Sequence, residues 1–133
     1  MTDRLVRMLE PILRDVATCA ELALRVQDGY RPSAPPGVPV DDDWLMVWTP
    51  DSAGTGIALR GGEDELEQLA DVFDQVHEVA VEGRGNAGLS TSWPPCPAHP
   101  ERRPLSVALR GTQTLWACPV DGQVHCEVGQ LAC

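Results

Sequence analysis

The sequence predicts an α+β chain: a helix–β-hairpin–helix unit over residues 1–84, then a small three-stranded module over residues 85–133. Three observations predict it. Two long stretches repeat apolar residues at steps of three and four, the period of an amphipathic helix. Two groups of short runs, rich in β-branched and aromatic residues, are broken by turn-forming residues, as hairpins are. Between the second helical stretch and the second group, residues 83–95 hold three Gly, two Pro, two Ser and Asn86, the sharpest change of composition in the chain. Apolar residues make up 43% of the 133, enough for a packed core and too many for a disordered chain.

The first helix is expected over residues 2–28. Leu5, Met8, Leu9, Ile12, Val16, Cys19, Ala20 and Ala23 form its apolar stripe, and Gly29 is its stop. Pro11 interrupts the pattern and should kink the helix, or mark a new start. Residues 30–40 contain four Pro and a Gly, so they read as an extended connector. Asp41, Asp42 and Asp43 follow; they form an acidic solvated turn, since no ligand spacing for calcium accompanies them. Trp44–Trp48 and Gly56–Arg60 read as a hairpin around Asp51–Thr55. Two strands alone are marginal, so a helix must cover them. The second helix runs over about 63–82, with Leu66, Leu69, Ala70, Phe73, Val76 and Ala80 inward. Glu63, Asp64 and Glu65 in its first turn suit the helix dipole. Beyond the linker, Leu105–Arg110, Thr114–Ala117 and Val124–Val128 read as three strands, the first two joined by Gly111-Thr112-Gln113.

Chemistry-bearing residues concentrate in this last module. Cys96-Pro97-Ala98-His99 and Cys118-Pro119-Val120-Asp121-Gly122 are two short turns with a hairpin between them. Such a turn presents two ligands three residues apart; Pro after the first stiffens it, and Gly after the second allows its unusual backbone. Residues 93–130 resemble a zinc ribbon on this local pattern, with Asp121 standing where the second Cys of Cys-Pro-x-Cys-Gly would be. The resemblance implies a structural zinc ion held by Cys96, His99, Cys118 and Asp121. His125 and Cys126, a few residues on, are the alternatives for the fourth position, because carboxylates are rarer in structural sites. A three-ligand site with a bound water would instead resemble a catalytic zinc centre.

Other reactive-looking residues have plainer readings. His77-Glu78 lacks the second His four residues on, so His77 reads as a half-buried core residue. Asp71, Asp74 and Glu78 form a solvated helix face, and Cys19 a small buried hydrophobe. Gly83-Arg84-Gly85-Asn86-Ala87-Gly88 matches the dinucleotide fingerprint, but it follows a helix, where the fingerprint has no function. Trp93 and Trp116 flank the knuckles and should pack over the hairpin; the sharper alternative is a partner-binding role.

Charge excludes some functions. The net charge is −10, and all of it lies in residues 1–90. That opposes nucleic-acid binding and, at most, favours a basic protein partner. No apolar run spans a membrane, and charges in the first ten residues do not suit a signal peptide, so the expected compartment is the cytoplasm, with reduced thiols. No catalytic constellation is present. These observations lead first to an acidic interaction or adaptor protein with a structural zinc-ribbon-like module. The alternatives are a small zinc-dependent enzyme and an inhibitor or immunity-type protein for a basic partner.

Overall fold

The computed structural model of the chain describes residues 3–27, 43–59, 64–98 and 103–132. Helix α1 spans Asp3–Cys19 and carries Pro11 within it. It buries Leu5, Leu9, Ile12, Val16 and, just past its end, Ala20, the stripe expected from the sequence. It stops nine residues earlier than the expected 28. Glu21 takes a positive φ of 54°, and the chain then forms strand β1, Arg25–Gln27. The reason is visible in residues 21–27, where burial alternates: Leu22, Leu24 and Val26 turn inward and their neighbours outward. Period two wins there over the helical reading of Ala23, because β1 can pair with a neighbouring strand.

That neighbour is β2, Asp43–Trp48, which also pairs with β3, Gly54–Leu59. The antiparallel order β1-β2-β3 makes a three-stranded sheet where a two-stranded hairpin was expected. Its inner face carries Leu45, Val47, Ile57 and Leu59 into the main core. Its other face holds a separate cluster of Trp44, Met46 and Ala58 with Trp48 beside it. Gln75 guards the β3 edge: its amide donates to Ala58 O and accepts from Ala58 N at 2.9 and 3.0 Å. This satisfies a backbone edge that would otherwise be open to another strand.

Helix α2, Glu65–Asn86, begins at Asp64, whose carboxylate caps the Glu67 amide at 2.9 Å. It runs one turn beyond the expected end, through Gly83. A Cβ at Gly83 would stand 2.9 Å from Leu22 Cδ2 and 3.0 Å from Thr49 Cγ2, so the missing side chain lets the helix lie close to the preceding segments. Gly88, at φ 78°, ends the helical path. The Gly83–Gly88 stretch is therefore the end of a helix, where the dipole repels phosphate.

The remaining strands are β4 Ser106–Arg110, β5 Gln113–Ala117 and β6 Val124–Glu127, in antiparallel order β4-β5-β6. Both sheets and both helices make an α+β architecture. One apolar cluster runs through Leu9, Val47, Phe73, Trp116, Cys118 and Val128, so residues from both halves of the chain share a core. Asp15, only 1% exposed, stitches α1 to the final segment. It accepts Trp116 Nε1–H at 2.8 Å, Gly129 N–H at 2.7 Å and Leu131 N–H at 3.1 Å. Among the described residues no helix is long and apolar enough to cross a membrane.

Candidate metal centre

The second knuckle folds as its residues dictate. Cys118 N donates to Gln123 O at 2.9 Å, and Gly122 N to Cys118 O at 2.8 Å. Gly122 sits at φ 74°, where a side chain would be strained. The Cys118 sulfur receives the backbone N–H groups of Val120 and Asp121. Burial pushes this thiol upward from its ordinary pKa, and the nearby Asp121 carboxylate and Cys96 thiol add to the rise; the two amides pull the other way. Two amides aimed at one sulfur favour its thiolate form.

The first knuckle is anchored by an isolated β-bridge between Pro95 and Pro104, and by Leu105 N donating to Pro94 O at 2.7 Å. This anchoring puts Cys96 in full burial, against Cys118. His99, expected as the second ligand of this turn, lies outside the described residues, as do Asp41 and Asp42 of the acidic run.

The third strand adds a donor. His125 Nε2 stands 3.8 Å from Cys96 Sγ. Two donors of a tetrahedral zinc, one sulfur and one nitrogen, stand about 3.6 Å apart. Cys126, the next residue, faces elsewhere: it packs against the main core, and burial followed by the Asp15 charge pushes its thiol upward. Asp121 has another occupation, since its exposed carboxylate accepts Gln123 N–H at 2.9 Å and so closes the knuckle on itself. The donors thus form a chain, with Asp121 against Cys118, Cys118 against Cys96, and Cys96 against His125. Among the described residues, no group of three or more His, Cys, Asp or Glu is placed to hold a metal ion.

Sequence reasoning identified Cys96 and Cys118, and the structure brings them together. His125 was only an alternative, and strand alternation from the buried Val128 was the available signal: 128 and 126 share a face, leaving 125 on the other.

Trp93 and Trp116 are buried at 2% and 0% exposure, so neither is a surface anchor for a partner. They meet edge to face at 5.8 Å, with His77 5.1 Å from Trp116. His77 Nε2–H donates to Trp93 O at 2.8 Å. Burial lowers the His77 pKa despite that bond and the charges of Asp74 and Glu78. It is a core histidine. Asp71 accepts from Gln75 Nε2 at 2.9 Å, and Asp74 and Glu78 are exposed, so this helix face is structural and solvated.

Comparison with known proteins returned no match among protein-family models, curated proteins or solved structures.

Proposed function

We propose that this chain is an acidic, non-enzymatic interaction or adaptor protein whose C-terminal ribbon is closed by one structural zinc ion. Cys96, Cys118 and His125 supply three donors, and His99 of the first knuckle supplies the fourth. Asp121 stays with the turn it caps. The observation that carries this reading is the 3.8 Å approach of His125 Nε2 to Cys96, which itself touches Cys118. Zinc would draw Cys96, Cys118, His125 and His99 into one shell; its chemistry there is the cross-linking of two knuckles and a strand, with no open position for a substrate. Two thiolates and two neutral imidazoles suit a closed site. The net charge of −10 supports a basic protein as the partner, because opposite charge speeds encounter.

Metal analysis of protein purified without chelator should find about one zinc per chain, the stoichiometry of a closed site. Chelation should then unfold the ribbon, seen as exposure of Trp116 in fluorescence. Metal content well below half an equivalent removes the proposal. Retention of the fold with loss of a hydrolytic activity on chelation would favour the zinc-dependent enzyme instead.

A further inference from the structure

Helices α1 and α2 do not close completely over strands β5 and β6. Where they meet, a groove of about 520 Å³ remains, within the size range of binding pockets. Burial grades its lining. Phe73, Val128 and Thr114 form the bottom, at 1, 4 and 6% exposure. Half-buried Met8 and Leu69 form the walls, and exposed Arg7, Glu65 and Glu127 form the rim. The surrounding elements are fixed. Asp15 holds the Gly129 and Leu131 amides to α1, and an added Cβ at Gly129 would stand 2.8 Å from Pro11.

Thr114 is the unexpected residue in this lining. Strand alternation puts it on the same face of β5 as Trp116, the face that enters the core. Its hydroxyl has no hydrogen-bond partner among the described residues. Polar groups as buried as this one are normally satisfied. A hydroxyl left open at the bottom of an apolar groove therefore points to a polar group that arrives from outside.

We propose that this groove receives one segment of a basic protein partner, a tyrosine ring with a lysine or arginine beside it. The choice of a protein partner rests on the adaptor reading. The ring lies against Phe73, Val128, Met8 and Leu69, and its phenol meets the Thr114 hydroxyl. Tyrosine suits the groove because it joins an apolar body to a polar tip. A wholly apolar anchor would seal the Thr114 hydroxyl from water without replacing its hydrogen bond, so the site discriminates against one. The rim selects the neighbouring residue. Its one Arg and two Glu leave it net negative, on a chain whose net charge is −10, so a cation beside the ring is drawn in. Arg7 is left to donate to a backbone carbonyl of the segment.

Titration of the isotope-labelled full chain with a capped Gly-Lys-Tyr-Lys-Gly peptide, followed by NMR, tests the site. Amide shifts should cluster around Met8, Leu69, Thr114 and Glu127. The peptide with Phe in place of Tyr should bind about five-fold more weakly, the worth of one hydrogen bond. Thr114→Val keeps the branched shape and removes the hydroxyl. It should weaken the Tyr peptide about five-fold and leave the Phe peptide unchanged or tighter. Equal losses for both peptides overturn the proposal. If Thr114→Val does not fold, the Tyr-to-Phe comparison on the natural chain still decides. Glu127→Gln should cost the Lys-bearing peptide about two-fold, as an exposed ion pair does, and cost nothing when Gln replaces both Lys. No shifts, or shifts confined to other surfaces, refute the groove; the second outcome keeps a basic partner and with it the adaptor reading. Tyramine binding as tightly as the peptide would make this a small-molecule site and overturn the choice of a protein segment. Binding in the groove by a chain that metal analysis finds free of zinc would remove the structural-zinc reading and leave the groove standing.

Discussion

A single buried carboxylate, Asp15, ties helix α1 to the segment after β6. Asp15 takes three N–H donors, one from a tryptophan ring in β5 and two from the backbone after β6. Removing it leaves two buried donors and one part-buried one, and a buried donor costs about 1–3 kcal/mol when unsatisfied. Water and relaxation will recover part of that, so Asp15→Ala should destabilise by about 3–4 kcal/mol. Urea unfolding followed by Trp fluorescence measures it, and a loss below about 1 kcal/mol would mean that the clamp is slack. His77 makes a second prediction at this scale. Its folded pKa lies below the ordinary 6.5 because it is buried. The unfolded chain therefore takes up the proton first, and stability falls as pH drops below that value toward the folded pKa. Above it, His77 contributes no pH dependence. Stability measured from pH 8 to pH 5 should decline in the acid half, and His77→Gln should flatten that decline. An equal slope in the variant would assign the effect to other groups.

At the scale of elements, β6 separates two residues that the sequence left as rivals. Successive side chains of a strand face opposite ways, and His125 faces Cys96 while Cys126 faces the core. His125→Ala should therefore release zinc at far lower competitor concentrations than wild type, whereas Cys126→Ala and Asp121→Ala should hold it nearly as well. A metal-competition titration tests all three together. Release by Asp121→Ala alone would restore the carboxylate as fourth ligand. The close approach of α2 gives another test. Gly83→Ala gains about 1 kcal/mol of helix propensity, but its methyl would meet Leu22 and Thr49 at 2.9 and 3.0 Å. Overpacking of that kind costs about 1–3 kcal/mol, so the substitution should be net destabilising in denaturant titration.

For the molecule as a whole, charge and shared packing matter most. The net charge of −10 opposes the counterion release on which duplex binding depends. Arg103 and Arg110 of the ribbon offer little local relief, and Arg110 is already hydrogen-bonded to Gly122 O at 2.7 Å. Fluorescence anisotropy with duplex DNA at physiological salt should show no sub-micromolar binding; a salt-dependent affinity in that range would contradict the adaptor reading. The shared core implies that the two halves support each other, since Trp116 and Val128 pack in the same cluster as Leu9 and Phe73.

Local features were legible because they repeat or punctuate. The apolar stripes of α1 and α2, the hairpin turns, and the Pro and Gly of the Cys118 knuckle all act within a few residues, where backbone sterics and side-chain period leave a trace in sequence. Even β1 was legible in principle, as the alternation of Leu22, Leu24 and Val26. Tertiary structure alone decided which distant groups meet. Asp15 reaches Trp116 across 101 positions and Gly129 across 114, and His125 reaches Cys96 across 29. Cys19 reads in sequence as a core hydrophobe, and only the fold shows it disulfide-bonded, with its sulfur 3.5 Å from Leu131 O. A pairing between distant residues is set by how elements pack, and packing leaves no local period in the sequence by which to read it.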